Sequence, residues 1–190
     1  MRSIQKLFPQ FRANHKILIL FILVLAGTSV WSQADSSFKK MDFLIGQWKF
    51  DAKSYIAENQ YQQNTFYSSV SYIFGGTASK DDFSYKDQNG NLITYGTTIR
   101  TYDRQSQKWK MLWYNYNLSF ITEMTGSYTN GEFHFTGKGS DQKGNYIEKI
   151  TFYNISQDQY SWKNDKSYDG GKTWLKNFFS YTAYRITDKE

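Results

Sequence analysis

Few side chains in this sequence could carry out acid–base, nucleophilic or metal chemistry. The chain has no cysteine, which excludes a thiolate metal site, a cysteine nucleophile and a disulfide scaffold. It has two histidines, and His15 lies in the basic N-terminal stretch, so a zinc site or a serine–histidine pair would have to use His134. His134 alternates with Phe133 and Phe135, which predicts that it faces solvent and argues against haem ligation. We therefore expect no cofactor and no bound metal.

The carboxylates do not form a recognisable catalytic or metal-binding pattern either. A pair for glycoside hydrolysis would be Glu123 and Glu148, but they fall on separate predicted strands and nothing sets the distance between them. Asp81, Asp82 and the turn 87–90 offer oxygen ligands, yet their spacing does not fit a calcium loop, and turns favour Asp and Asn anyway. The sequence therefore indicates a protein that is not an enzyme.

The N-terminal segment predicts export. Residues 1–16 are basic and hold no acid, 17–30 are uncharged, and Ser32 and Ala34 occupy the −3 and −1 positions of a signal-peptidase site. Cleavage after Ser32 fits the same rule, and an uncleaved membrane anchor is the alternative. We expect a signal peptide at 1–34 and a mature domain at 35–190, in the periplasm or outside the cell.

The charge of the chain argues against nucleic-acid binding. Of the 23 basic residues, four lie in the first 34 residues together with none of the 17 acidic ones, so the remaining chain is close to neutral. Its lysines and arginines are interleaved with acids instead of forming a patch. We therefore expect no nucleic-acid partner, and membrane contact only through the N-terminal segment if it is not cleaved. The sequence leaves the oligomeric state open.

The mature chain predicts a series of antiparallel hairpins. Turn residues recur at short intervals between segments rich in Tyr, Phe, Trp, Thr and Ile, many of which alternate apolar and polar residues. Only Ser37–Leu44 has a helical pattern, which argues against α/β folds with crossover helices between parallel strands. Consecutive hairpins hide their edges best by closing, which predicts an all-β, antiparallel up-and-down barrel with a short N-terminal helix. We place about ten strands near 47–57, 63–74, 80–87, 91–102, 107–116, 119–129, 131–138, 145–155, 159–166 and 173–186.

Two motifs predict particular structural contacts. Gly46 and Trp48 open the first strand, where the indole can close the bottom of a barrel and stack under a cation from the last strand, Arg185. The segment 167–174 fits the pattern S-x-D-x-G-x-T-W, called an Asp box, with Asp169, Gly171 and Trp174 at its key positions. Sialidase propellers repeat this box in several blades, whereas it occurs once here, so we interpret it as a hairpin turn.

These motifs together resemble a known family. Phe43–Trp48, Phe74–Gly76, Tyr102-Asp103, Asp169–Trp174 and Tyr184-Arg185 follow the order and spacing of the secreted domain-of-unknown-function family numbered fifteen seventy-nine, which is related to lipocalins and other calycins. The resemblance covers about 38–186. It implies a calycin-like β-barrel with a ligand-sized interior and no established activity. The abundance of Tyr, Asn and Gln departs from the pattern and argues against a purely lipidic ligand.

The leading functional hypothesis is a secreted, non-enzymatic barrel that binds a small apolar or amphipathic molecule in its interior. A second hypothesis is a cell-envelope interaction or carbohydrate-binding module that uses exposed aromatic residues. An enzyme is the third and least supported reading. The candidate inner-wall residues are Tyr95, Ile99, Trp113, Phe120, Met124, Phe135 and Tyr153.

Overall fold

The described part of the chain forms a closed β-barrel. The computed structural model describes residues 37–115 and 121–187. Each strand pairs antiparallel with its neighbours in sequence, and the first strand pairs with the last, so the predicted all-β, up-and-down barrel is confirmed. The strands are β1 Gly46–Ala57, β2 Gln60–Ile73, β3 Ala78–Lys86, β4 Leu92–Asp103, β5 Lys108–Asn115, β6 Ile121–Thr129, β7 Glu132–Asp141, β8 Gly144–Tyr153, β9 Gln159–Ser167 and β10 Leu175–Arg185.

Alternating apolar and polar residues decide which side of each strand faces inward. In β1, Trp48, Phe50 and Ala52 are buried, while Lys49 and Asp51 between them are exposed. The same period of two runs through β5 to β8, as a half-solvated antiparallel sheet requires. No helix in the described ranges is both long and apolar enough to span a bilayer. The predicted signal peptide lies outside the described residues.

A short helix covers one end of the barrel, which we call the closed end. Phe38–Leu44 form a 3-10 helix whose residues Phe38, Met41 and Leu44 are buried. The ring of Phe38 stacks on Trp109 of β5 with a centroid distance of 5.4 Å. The indole Nε1–H of Trp48 donates to the carbonyl oxygen of Leu44 at 2.8 Å. These contacts plug the closed end with apolar side chains.

Arg185 joins the last strand to the first strand and to the helix. It pairs in register with Trp48, and its guanidinium carbon lies 4.2 Å from the centroid of that ring. Nη1 and Nη2 donate to the carbonyl oxygens of Ile45 and Phe43 at 2.6 and 2.8 Å, and Nε donates to that of Gln157 at 2.8 Å. One side chain therefore connects three segments where the barrel closes.

Gly46 makes room for this guanidinium. Its φ is +129°, and a Cβ atom added there would lie 2.5 Å from Nη1 of Arg185. Both the backbone conformation and the close approach therefore require glycine at this position.

The Asp-box segment forms a turn at the opposite end of the barrel. The carboxylate of Asp169 accepts from the backbone N–H groups of Lys172 and Thr173, and from the Thr173 hydroxyl. These bonds hold the pKa of Asp169 well below its usual range. Trp174 packs back on the turn and donates from Nε1 to the carbonyl oxygen of Gly171 at 3.0 Å. The hydrogen-bonding groups of Asp169 and Trp174 are thus satisfied within the motif itself, as expected for a hairpin turn.

We predict that Arg185→Met lowers the free energy of unfolding by about 3 kcal/mol or more, because it removes hydrogen bonds from a charged donor and the stacking on Trp48. Urea unfolding followed by tryptophan fluorescence measures this loss. Lys49→Met, on the exposed face of β1, is the matched control and should change the free energy of unfolding by less than about 0.5 kcal/mol. Equal effects of the two substitutions would contradict the role assigned to Arg185.

Candidate functional site

The two halves of the barrel interior are packed differently. Toward the closed end, the inward-facing aromatic rings are almost completely buried: Trp48, Phe50, Trp109, Phe133, Phe135, Phe152 and Tyr160. Toward the open end, which carries the turns 57–60, 87–91, 141–144 and 168–174, six inward-facing rings are only half-buried. We call these six the aromatic funnel: Phe66, Phe83, Trp113, Trp162, Phe179 and Tyr181. Each of these six rings keeps part of its surface accessible.

Stacked rings connect the funnel to the packed half of the interior. Phe83 stacks on Phe50 at 5.4 Å between centroids, Phe50 stacks on Tyr181 at 4.4 Å, and Tyr181 stacks on Trp162 at 5.1 Å with an interplanar angle of 5°. Phe179 meets Trp162 edge-on at 5.8 Å. These contacts hold Phe83, Tyr181 and Trp162 at fixed orientations around buried Phe50.

A buried ion pair lies on the inner wall. Nη2 of Arg100 in β4 donates to Oδ2 of Asp81 in β3 at 2.8 Å, and the two side chains are 4% and 8% exposed. Ser68 donates its hydroxyl to the other oxygen of Asp81. Among the described residues, nothing accepts a hydrogen bond from Nε or Nη1 of Arg100. The pair therefore has zero net charge and two unsatisfied donor groups inside the barrel.

Two tyrosine hydroxyls lie close to this pair. Tyr160 and Tyr181 are hydrogen-bonded to each other, and the charges of Asp81 and Arg100 act on both. Burial is the main cause that raises the pKa of both phenols, so both stay neutral in neutral solution. The hydroxyls and the guanidinium thus form a polar patch among the aromatic rings.

A second buried polar group lies on β8 and β9. Asn164 donates its side-chain amide to Glu148, and its own carbonyl oxygen accepts from the backbone N–H of Phe179 at 2.6 Å. Burial raises the pKa of Glu148 above its ordinary value, against the bond from Asn164 and the charge of Lys166. Glu148 is thus a carboxyl group held in an environment that favours its neutral form.

Lys166 and Asp141 close the rim beside Glu148. Nζ of Lys166 lies 3.2 Å from Oδ2 of Asp141 and 3.9 Å from the centroid of the Tyr146 ring. Tyr168 donates its hydroxyl to the same oxygen of Asp141 at 2.7 Å. The outer depression at this rim, of about 580 Å³, is lined by Tyr146, Tyr168 and mainly polar neighbours.

The structure divides the predicted inner-wall residues among several places. Trp113 belongs to the funnel, while Met124 and Phe135 are buried in the packed part of the interior. Tyr95 lies at the mouth, 44% exposed, with its ring 6.2 Å from Trp113. It is the extra residue of a β-bulge, because Phe83 pairs with Gly96 and the next residue of β3 pairs with Thr94. Binding of a ligand by these residues stays a prediction.

The placement of Ile99 and Tyr153 on the inner wall is corrected. Ile99 lies between the buried residues Thr98 and Arg100, so its side chain points to the outer face. Tyr153 follows buried Phe152 and lies on the outer face under Nζ of Lys163, 5.4 Å from the ring centroid. In both strands the neighbouring residues, Thr98 and Arg100 in β4 and Phe152 in β8, point into the interior instead. Phe120 lies outside the described residues.

The other side chains considered for chemistry are separated by the sheet. His134 is exposed next to Glu132, with 3.2 Å between Nε2 and Oε2. Glu123 is exposed on the outer face of β6, whereas Glu148 points inward, so the two carboxyl groups lie on opposite faces of the sheet. Asp82 faces outward and pairs with Lys80 at 2.7 Å. Within the described ranges, no three His, Asp or Glu residues are grouped as a metal site would need.

Comparison with known proteins identifies the fold. The barrel is similar to the S-type phycobiliprotein lyase CPES from Guillardia theta, with a TM-score of 0.54 and 14% sequence identity. The match covers 83% of this chain and 100% of the lyase chain. The M. tuberculosis protein Rv2717c matches 82% of this chain over its full length, with a TM-score of 0.54 and 10% identity. The fold is a calycin-like β-barrel. Neither the protein-family models nor the curated proteins include a match to the chain.

Sequence reasoning missed the polar part of the calycin-like barrel's interior. It treated Asp81 as a turn or calcium residue and did not single out Arg100. The sequence signal was the alternation along each strand. Arg100 is an even number of residues from Gly96 and Thr98 and so lies on the same side of β4, and Asp81 likewise lies on the same side of β3 as Phe83. A lone arginine and a lone aspartate in phase on neighbouring strands predict an internal pair.

We predict that Glu148→Gln stabilises the barrel more at pH 7 than at pH 4. The pKa of Glu148 is raised in the folded state. Below the pKa of the unfolded chain, about 4.3, the carboxyl group is protonated in both states and does not lower the free energy of unfolding. As the pH rises from there through the folded-state pKa, the unfolded state is increasingly favoured and the free energy of unfolding falls. Gln keeps an acceptor for Asn164 and cannot ionise. Urea unfolding at the two pH values measures the difference. Glu123→Gln, on the exposed face, is the control; a Glu148→Gln effect independent of pH would contradict the assignment.

Proposed function

We propose that this chain is a non-enzymatic barrel that binds one small apolar or amphipathic molecule in the aromatic funnel. The observation that carries the proposal is the contrast between the packed closed half and the six half-buried rings of the aromatic funnel. Small-molecule sites are concave, mostly apolar and equipped with a few convergent polar groups. The six rings supply the apolar surface, and Tyr181 among them also carries a hydroxyl group.

The placement of the titratable groups supports binding more than catalysis. His134 is exposed on the outer face, away from the funnel. Inside, Asp81 is held by Arg100 and Ser68, and Glu148 is held by Asn164. Groups engaged in this way serve to position one another.

The fold neighbours are compatible with this proposal. One of them is a phycobiliprotein lyase, and the shared barrel suits the handling of a small molecule. We further propose that the chain belongs to the secreted domain-of-unknown-function family numbered fifteen seventy-nine. The contacts of Trp48 with Arg185 and of Asp169 with its turn support this assignment, because they join the motifs on which the resemblance depends.

The carbohydrate-binding alternative has weaker support from the outer face. Several aromatic rings there are already covered by lysines of the same chain: Lys86 lies 4.9 Å from the Tyr67 ring centroid, and Lys149 lies 4.1 Å from that of Trp174. Lys163 lies in the same way on Tyr153. A sugar would have to displace these cations before it could stack.

We predict that Trp162→Leu and Trp113→Leu each weaken binding of the neutral fluorescent probe N-phenyl-1-naphthylamine about fivefold, because each removes an aromatic contact from the funnel. Fluorescence titration measures the dissociation constant. Tyr153→Leu, on the outer face, is the matched control and should leave it unchanged. Failure of the unsubstituted protein to bind the probe, with no small molecule retained in native mass spectrometry, would overturn the proposed function.

Export remains part of the proposal and has its own test. We expect the protein purified from its native host to lack the N-terminal segment and to begin after Ala34 or after Ser32. N-terminal sequencing of the mature protein measures this directly. A protein that retains residue 1 and fractionates with membranes would favour the uncleaved anchor instead.

A further inference from the structure

The first half of strand β2 extends beyond its neighbour β3. β2 begins at Gln60, but its ladder with β3 starts only at the pair of Tyr67 with Ser84. Within the described part of the chain, residues 60–66 pair with β1 alone. β3 ends at Lys86 and turns into β4, so it does not continue beside them. We call residues 60–66 the free edge, because alternate N–H and C=O groups of this segment point away from β1.

The free edge lacks the devices by which proteins protect exposed strands. Such strands usually carry a lysine or a proline, or are interrupted by a bulge. The sequence of residues 60–66 is QYQQNTF, which contains no charged residue, no proline and no glycine. Its register with β1 is regular from Tyr61 to Phe66. Gln60, Gln63 and Thr65 are among its exposed residues. The segment is therefore a regular, uncharged and accessible edge on which another strand can pair.

The free edge is complementary to a second copy of itself. Full antiparallel overlap of two copies places Gln63 on a two-fold axis, opposite Gln63 of the second copy. Tyr61 then faces Thr65 of the second copy on the outer face, and the symmetry repeats this favourable pair of an aromatic with a β-branched residue. Gln62 faces Asn64, and amide side chains can both donate and accept hydrogen bonds. None of these positions brings two like charges together.

The surroundings of the free edge favour a second copy over a charged strand from another protein. On β1, Asp51 lies beside Thr65 and Lys53 lies beside Gln63, and both are exposed. Their charges are opposite in sign, so the outer face next to the edge has no excess of either. A charged foreign strand would meet no compensating charge on the edge itself. A second copy also covers the ring of Tyr61, which is 42% exposed.

We propose that two copies of this chain associate through their free edges, antiparallel about a two-fold axis at Gln63. The same surface is used on both copies, so the assembly closes at a dimer. Its interface is one pair of short strands, and we therefore expect a dissociation constant of about 10 µM. The dimer is independent of any ligand in the aromatic funnel.

Analytical ultracentrifugation of the mature chain at increasing concentration tests the association. We expect a reversible equilibrium between monomer and dimer. A monomer at all concentrations up to about 200 µM would overturn the proposal. So would assembly into species larger than a dimer, because a two-fold interface closes.

Charge exchange on the axis tests the position of the interface. Gln63→Lys and Gln63→Glu each place two like charges opposite each other, so each variant alone should associate about fivefold more weakly. An equimolar mixture of the two should associate at least as tightly as the unsubstituted chain. Ser69→Lys, on the same face of β2 but within its ladder with β3, is the matched control and should leave the dissociation constant unchanged. A mixture that associates no better than its components would contradict pairing at Gln63.

Cross-linking tests the register, and the absence of native cysteine makes the result simple to interpret. Gln63→Cys brings two thiols to directly opposed positions, where a disulfide can form under mild oxidation. Thr65→Cys is the control, because the proposed register separates its two thiols by about 14 Å. Non-reducing electrophoresis should show a covalent dimer for Gln63→Cys alone. Equal cross-linking of both variants would overturn the register, and no cross-linking of Gln63→Cys would overturn the interface.

Discussion

Pairing of the first strand with the last is the constraint on which the rest of the molecule depends. A sheet of this length that stayed open would expose two long edges and would have no inside. Closure instead gives every strand an inner and an outer face. Arg185 stands at the point of closure, where its guanidinium stacks on Trp48 and binds carbonyl oxygens in the segment that leads into β1. The same contacts hold the 3-10 helix over the closed end, so one side chain links closure of the sheet to closure of the bottom.

Closure at one end explains why the interior differs along its axis. Near the helix, large rings meet from all sides and leave little accessible surface; Trp48, Phe133 and Phe152 are each 0% exposed. Toward the other end no element covers the barrel in the described residues, and the six rings of the aromatic funnel stay half-buried. Glycines on the inner wall fit this arrangement, because a Cβ on Gly96 would collide with the ring of Trp113. Small residues on one strand thus make space for large rings on the next.

Much of the fold could be predicted from the sequence, because period-two alternation and turn residues are local properties. All ten strands were expected within a few residues of where they lie, and so was the contact of Trp48 with Arg185. The phase of some strands could not be predicted on hydrophobicity alone. Ile99 was expected inside, yet in β4 the inner positions carry Thr98 and Arg100, which are more polar than their outward neighbour. Whether a polar residue can be buried depends on its partner in the next strand, and that partner is fixed by register, which the sequence does not state.

The ion pair of Arg100 and Asp81 is poorly explained by stability. An isolated buried pair gains little over apolar residues of the same volume, because the loss of hydration offsets the attraction. Glu148 is likewise held where burial raises its pKa, which costs stability near neutral pH. Two such groups lie on the inner wall of the same barrel, whose packed half is built from apolar side chains. The polar groups on the inner wall therefore add little to the stability of the barrel, which rests on the apolar side chains of the packed half.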